Sequence, residues 1–288
     1  MDFNVIYLKT NKGHGISRKI AIAHCKYELV AIMDSDDISA KERLEKELQA
    51  HCKENISVVG GQIAEFIGDT DNIIGVRSVP QENGEIYDYL KKRCPFNQMT
   101  VMFRKTDVML AGGYQDWYCN EDYFLWIRMA EKKMVFRNLP DILVYARVGE
   151  QMYQRRGGWK YFRSEQKLHY YMLKKRIITV HRYIANVVVR FGAQVICPDR
   201  LRKYLFKITR KKMSKNYFKR CAVQKECIYP KFSVAMSVYN GDIPEHFETA
   251  LSSIIHQTVP PDEIVLVVDG PVNPKIQEII EKYRLELR

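Results

Sequence analysis

The run Asp34-Ser35-Asp36-Asp37 places three carboxylates within one short stretch of chain. It follows Leu29-Val30-Ala31-Ile32-Met33, a continuous apolar run of the kind expected for a strand buried on both faces. Carboxylates just past such a strand sit at the carboxyl edge of a sheet, where open α/β folds bind ligands. Hard divalent cations take carboxylate oxygens, so Asp34 and Asp36 read as a cation site. The same aspartates would also suit a helix N-cap. A second acidic pair, Glu121-Asp122, comes shortly after Gly112-Gly113-Tyr114 and opens a predicted helix that runs to about Lys132. Acids in a first helical turn complement the helix dipole. A third acid, Asp269, closes the apolar run Ile264 to Val268 and is followed by Gly270, which also reads as a simple turn.

The elements that must position these residues lie at both ends of the chain. Residues 4–8 alternate as a strand, Asn11 to Gly15 is a turn, and Ile16 to Tyr27 reads as a helix before the run 29–33. A charged helix is expected over 41–52, a strand from Ser57, and loop-rich chain over 68–97. Strands are expected over 98–103, 135–139 and 142–148. From Tyr161 to about Lys212 the pattern is helical, amphipathic and basic. The C-terminal segment opens with the strand Phe232 to Tyr239 and a turn at Asn240-Gly241-Asp242. A helix over about 245–256 and the strand 264–268 follow, and a last helix runs from about Pro274 to Arg284. This is a βαβα unit of the sort that opens a doubly wound nucleotide-binding fold.

Composition narrows the classes. Hydrophobic residues make up 46% of the 288 residues and charged residues 28%, which is ordinary for a globular protein. Met1 leads straight into a strand-like run with no basic n-region, so no signal peptide is expected. No run of about 18 apolar residues suggests a spanning helix. The seven cysteines are scattered without a CxxC pair, which fits reduced thiols and a cytoplasmic protein. The formal charge of +12 is concentrated: between Lys174 and Lys225 the only acid is Asp199. An anionic membrane surface, nucleic acid or a phosphorylated substrate could meet that charge. No Gly-x-Ser-x-Gly elbow, P-loop or convincing histidine pair is present, so hydrolase and kinase readings gain no support.

Together these segments resemble the inverting glycosyltransferases of family 2, with the GT-A fold, and most closely the bacterial capsule and exopolysaccharide type. The resemblance covers nearly the whole chain, but in rotated order, with 230–288 standing where the family begins. It implies a circularly permuted α/β fold: a Rossmann-like, mixed but mainly parallel sheet flanked by helices, with a basic helical appendage. The expected catalytic domain is 1–160 plus 230–288, the extension 161–220, and the linker joining the family's usual ends 221–229. By resemblance, Asp36 holds Mg2+ or Mn2+ against a nucleotide diphosphate, Asp34 lies near the ribose or the metal, and Asp122, beside Glu121, is the general base. Val238, Tyr239 and Asp269 contact the nucleoside, and Arg18 reaches the base or diphosphate. Arg155 and Arg156, on the glycine-flanked stretch 151–159, close over the diphosphate. The expected donor is a nucleotide sugar, a UDP-sugar foremost, and the acceptor a glycan or lipid-linked sugar. The basic helices suggest peripheral attachment to the inner face of the cell membrane.

Other readings stay open at this level. The chain could be a gene-fusion fragment, or a scaffold that binds nucleotide sugars without catalysis. A nucleic-acid module is suggested only by the charge and disfavoured by carboxylates in the proposed cleft.

Overall fold

A computed structural model describes residues 1–149, 157–197 and 228–287. Its elements are, in chain order, β1 (Asp2–Tyr7), α1 (His14–His24), β2 (Leu29–Met33), β3 (Ile38–Ser39), α2 (Arg43–Lys53), β4 (Val58–Phe66), β5 (Ile73–Arg77), α3 (Asn83–Leu90), β6 (Met102–Arg104), α4 (Lys105–Leu110), α5 (Glu121–Glu131), β7 (Phe136–Arg147), α6 (Gly158–Lys174), α7 (Val180–Phe191), β8 (Phe232–Val238), α8 (Pro244–Ile255), β9 (Glu263–Val268) and α9 (Pro274–Glu286).

One sheet gathers all nine strands in the order β1-β9-β8-β2-β6-β4-β7-β3, with β5 added along β4. The C-terminal strands enter its middle. β8 pairs in parallel with β2 on one side and with β9 on the other, and β9 pairs in parallel with β1. The four strands β1, β9, β8 and β2 are therefore all parallel, while β6 runs antiparallel to its neighbours β2 and β4.

Burial on both faces explains the apolar runs. In β2, Val30 and Ile32 join the core shared with α1, α3, α5 and α6, whereas Leu29, Ala31 and Met33 join the core shared with α2, α8 and α9. β8 and β9 divide the same way: Ala235, Val265 and Val267 face the first core, and Val234, Met236, Ile264 and Leu266 the second. Each such aliphatic side chain contributes about 1.5–3 kcal/mol on full burial, so the tail is integral to the sheet. Polar groups lock the join. Glu263, fully buried at the start of β9, accepts from Asn4 Nδ2 at 2.7 Å, the Lys26 N–H at 2.8 Å and Ser233 Oγ at 2.6 Å. Gln257, past α8, donates to the Ala40 carbonyl and accepts from the Leu44 N–H.

Several sequence expectations change. The 68–97 region holds β5 and α3. β5 is an edge strand paired only to β4, and α3 shows its core just two fully buried residues, Ile86 and Leu90, so neither has a long periodic signal. Residues 98–103 are not one strand: Gln98–Thr100 form a 3-10 turn, held by Thr100 Oγ1 on the Asn97 carbonyl, before β6. The two strands expected over 135–148 are one, β7, whose register against β4 shifts beside Pro140. The basic helical segment is broken after α6, where Arg176 takes φ 58°, and restarts at Thr179, whose hydroxyl caps the Arg182 N–H.

Candidate active site

β2 delivers the first acidic turn. Buried Arg43 on α2 donates to the Ile32 carbonyl at 2.8 Å and fixes the strand's end. Past it, Asp34 is half-buried, Asp36 is exposed and Asp37 is buried. Asp37 accepts the Arg147 N–H at 2.8 Å, and Arg147 Nε donates to the Asp36 carbonyl at 3.2 Å, so the last residue of β7 holds this turn. The Asp36 side chain keeps one side open to water, but the cleft floor around it and the charges of Asp34 and Asp242 push its carboxyl up to about 6. Burial and the neighbouring Asp36 and Asp34 charges also push Asp37 well up.

The second acidic turn stands across Arg18. Arg18 Nη2 donates to Asp34 Oδ1 at 2.8 Å and Nη1 to Glu121 Oε1 at 2.9 Å, with only 12% of its side chain exposed. Burial alone would lower its pKa, but Asp34 and Glu121 outweigh that and hold the guanidinium protonated. Gly15 permits this closeness: a Cβ there would meet the Glu121 side chain at 3.3 Å. Asp122 is half-buried beside Glu121. Its Oδ1 accepts the Tyr123 N–H at 2.6 Å, and Cys94 Sγ donates to its Oδ2 at 3.7 Å. Burial, then the Glu121 charge, push the Asp122 carboxyl up to about 6, against the pull of the Tyr123 N–H, Arg18 and Arg77. A carboxylate poised there can accept a proton from a hydroxyl near neutrality.

The tail supplies the third wall. Asp242, past β8, accepts from Ser35 Oγ at 2.8 Å and from the Tyr239 N–H at 3.0 Å, so the turn after β8 is stitched to the turn after β2. Tyr239 is half-buried, and His14 lies edge-on to its ring at 6.2 Å. The Asp269 N–H donates to the Val238 carbonyl at 2.8 Å, joining the ends of β8 and β9. Asp269, Tyr239, Asp34, Asp36 and Asp122 thus line one region at the carboxyl edge of the parallel strands, reached by a chain of direct contacts.

Three residues expected at a donor are engaged otherwise. The Val238 side chain is buried in the second core, which leaves its backbone alone at the cleft. Asp269 is buried and spends both oxygens on the turn before α1, accepting the Lys12 N–H at 2.6 Å and the Gly13 N–H at 2.9 Å. Gly270 backs onto the same turn with φ 86°, and a Cβ there would meet the Asn11 nitrogen at 2.8 Å. Arg18 ties the two acidic turns together. Arg155, Arg156, most of the expected linker and residues 198–220 of the expected extension lie outside the described residues. Asp242, Arg147 and Cys94 were not singled out from sequence. Asp242 alone had a signal, an acid just past a strand in an Asn-Gly turn.

The donor set can be tested for a cation. Among the described residues no three His, Cys, Asp or Glu side chains form a closed cage. Asp36, with the Asp34 oxygen that Arg18 leaves free, would fit a cation, since Mg2+ commonly takes one or two carboxylates and fills its shell from substrate and water. Burial is the first cause of the raised Asp36 pKa and the Asp34 and Asp242 charges the next; a cation would relieve the charge part.

The chain is similar to known glycosyltransferases. A family model described as Glycosyl transferase family 2 matches residues 1–110. An uncharacterized glycosyltransferase of Haemophilus influenzae is 37% identical over 204 residues, which cover 70% of this chain and 76% of the relative. The amylovoran biosynthesis glycosyltransferase AmsE of Erwinia amylovora is 32% identical over 209 residues, 72% of this chain and 77% of the relative. A UDP-Gal:alpha-D-GlcNAc-diphosphoundecaprenol beta-1,3-galactosyltransferase of Escherichia coli is 31% identical over 201 residues, 69% of this chain and 72% of the relative.

Proposed function

The chain belongs to glycosyl transferase family 2 and is a glycosyltransferase, and we propose that it moves a sugar, with inversion, from a UDP-sugar to a hydroxyl of a lipid-linked glycan in surface polysaccharide synthesis. The observation that carries this reading is the Arg18 bridge, which brings the cation-type carboxylate Asp34 and the pair Glu121-Asp122 into one cleft. The acceptor class is supported by the Escherichia coli relative, whose name specifies a UDP-sugar donor and a diphosphoundecaprenol-linked acceptor.

In this reading Tyr239 and the backbone at Val238 bind the nucleoside, and Asp269 shapes that pocket through the Lys12-Gly13 turn. Asp36 and Asp34 hold a divalent cation, which when bound neutralises the diphosphate. The acceptor oxygen attacks the anomeric carbon from the face opposite the diphosphate. As the new C–O bond forms, the old one breaks, and its electron pair leaves with the nucleoside diphosphate. The hydroxyl proton goes to the Asp122 carboxylate. Arg18 orients Glu121 and Asp34 and takes no proton.

We also read the chain as a circular permutant of the family domain. The strand order β1-β9-β8-β2 supports this, with the tail supplying two central strands in cis. A chain re-ordered as 228–288 followed by 1–227 should then fold to the same thermal stability within a few degrees. Failure of the re-ordered chain to fold would sink the permutant reading.

The function is tested by supplying UDP-sugars with Mg2+ or Mn2+ and a GlcNAc-diphospho-lipid analogue, and following UDP release and product anomer by NMR. Acceptor-dependent release with an inverted anomer is expected. A retained anomer, or transfer indifferent to the metal, would overturn the mechanism.

A further inference from the structure

Helix α7 carries a surface that the transfer chemistry does not use. Among the described residues the helix is held by Tyr183, Asn186 and Arg190: Tyr183 packs against the first core, Asn186 Nδ2 donates to the Lys91 carbonyl at 2.9 Å, and Arg190 donates to the Lys92 carbonyl at 2.7 Å and pairs with Glu165 at 2.8 Å. No residue of α7 is buried. Val180, Ile184, Val188 and Phe191 fall at i, i+4, i+8 and i+11, which puts them on one stripe. They are exposed by 57, 54, 63 and 38%. The stripe continues onto α6, where Trp159, 51% exposed, meets Phe191 edge-on at 6.3 Å and carries Arg163 over its ring at 5.5 Å. A contiguous apolar ridge of this kind marks an interaction site.

Charge selects the partner. The ridge belongs to α6 and α7, where residues 157–197 carry eight Lys or Arg side chains against one acid, Glu165. An apolar stripe on a basic segment, with Arg163 over the Trp159 ring, suits the boundary between lipid headgroups and acyl chains in an anionic leaflet. We propose that the Trp159–Phe191–Val188–Ile184 ridge is a docking surface for an anionic lipid bilayer.

Its place in the fold gives the docking a use. The Lys91–Pro95 loop that α7 grips also holds Cys94 against Asp122. On α6, Ser164 Oγ donates to the Tyr118 carbonyl at 2.6 Å and accepts from Asn120, the residue before Glu121. The ridge and the proposed base therefore share their supports, and docking would set Asp122 near the membrane, where a lipid-linked hydroxyl is found. That last step rests on the proposed acceptor; the surface itself does not.

The full chain is therefore floated with vesicles of phosphatidylcholine alone and of phosphatidylcholine with phosphatidylglycerol, without donor or acceptor. Binding to the anionic vesicles, weakened by salt and weak on the neutral ones, is expected. The double variant Ile184→Asp/Val188→Asp should lower that partition by about tenfold or more. Its thermal stability and its transfer to a water-soluble acceptor should stay unchanged, because both positions are exposed. Absence of wild-type binding to anionic vesicles overturns the proposal. So does full binding by the double variant, which would assign attachment to residues 198–227. A wild-type dimer in sedimentation velocity that the variant dissolves, without lipid binding, would make a second copy the occupant. Vesicle binding in a protein that fails the transfer assay would remove the proposed donor and acceptor and leave the docking surface standing.

Discussion

The two acidic turns of the cleft both hold a carboxyl pushed up to about 6, yet they are built in opposite ways. Asp36 lies in the turn after a strand, is the more exposed of the two, and owes its shift to burial and then to the charges of Asp34 and Asp242. Asp122 starts a helix, is half-buried and is contacted by the Tyr123 N–H and the Cys94 thiol. An open carboxylate beside like charges is suited to a cation, which cancels those charges at once. A shielded carboxylate with one proton to gain is suited to general-base work. Burial and neighbours, not residue type, separate the roles.

The largest expected effect breaks the second half of this contrast. Asp122→Asn should cut turnover about 10^2–10^4-fold while donor binding stays within about threefold. The same change should stabilise the fold. A carboxyl raised in the folded state contributes stability below its unfolded pKa and loses it as pH rises through about 6. At pH 7 the ionised Asp122 is therefore a net cost, and its removal should gain on the order of 1 kcal/mol, read as a higher Tm. Turnover that survives the substitution would strip Asp122 of its role. Wild-type kcat/KM should fall on the acid side as pH drops through about 6, since the base must be ionised to act.

Next comes the first half. Asp36→Asn should lower transfer about 10^2-fold and raise the Mg2+ or Mn2+ concentration needed for half-maximal rate. Chelation of the wild type should have the same effect, reversed by adding metal back. An unchanged metal response in the variant would move the cation elsewhere.

A smaller effect is expected where the halves meet. Arg18→Lys keeps a charge but cannot bridge Asp34 and Glu121 with one fork. Transfer should fall about 10-fold to 100-fold, and in Arg18→Met, which removes the charge that helps to lower Asp122, the pH profile's acid limb should also move up. A fall in rate without movement of that limb would make Arg18 a support for α1 alone.

These tests show what sequence could and could not reveal. The placement of Asp34 and Asp36 was legible because a both-face-buried strand writes an uninterrupted apolar run just before them, and that of Glu121-Asp122 at the head of α5 because acids favour a helix start; the roles proposed for them come from the resemblance. The βαβα tail was legible for the same reason as β2. The links between turns were not. Arg18 to Glu121 spans 103 residues, Ser35 to Asp242 spans 207, and Lys12 to Asp269 spans 257. No local pattern encodes such pairs; they exist only once the tail strands enter the sheet. Val238 shows where a strand-end reading needs the structure. Its position at a strand end was right, but strand alternation sends its side chain into the core.

The finest test of the contrast uses Cys94, which a purely local reading would class as packing. Burial and the Asp122 charge push its thiol well up, so it stays protonated and able to donate. A sulfur donor at 3.7 Å is weak, and its loss should cost less than about 1 kcal/mol of transition-state stabilisation, a factor of about five in kcat/KM. The direction is the informative part. Cys94→Ala removes a hydrogen bond to the ionised carboxylate and should move the acid limb of the pH profile up. Cys94→Ser offers a stronger donor and should move it down. Asp36, which has no thiol neighbour, should leave its metal response untouched in both variants. Equal limbs in all three proteins would mean that shielding by bulk, rather than a specific donor, distinguishes Asp122 from Asp36.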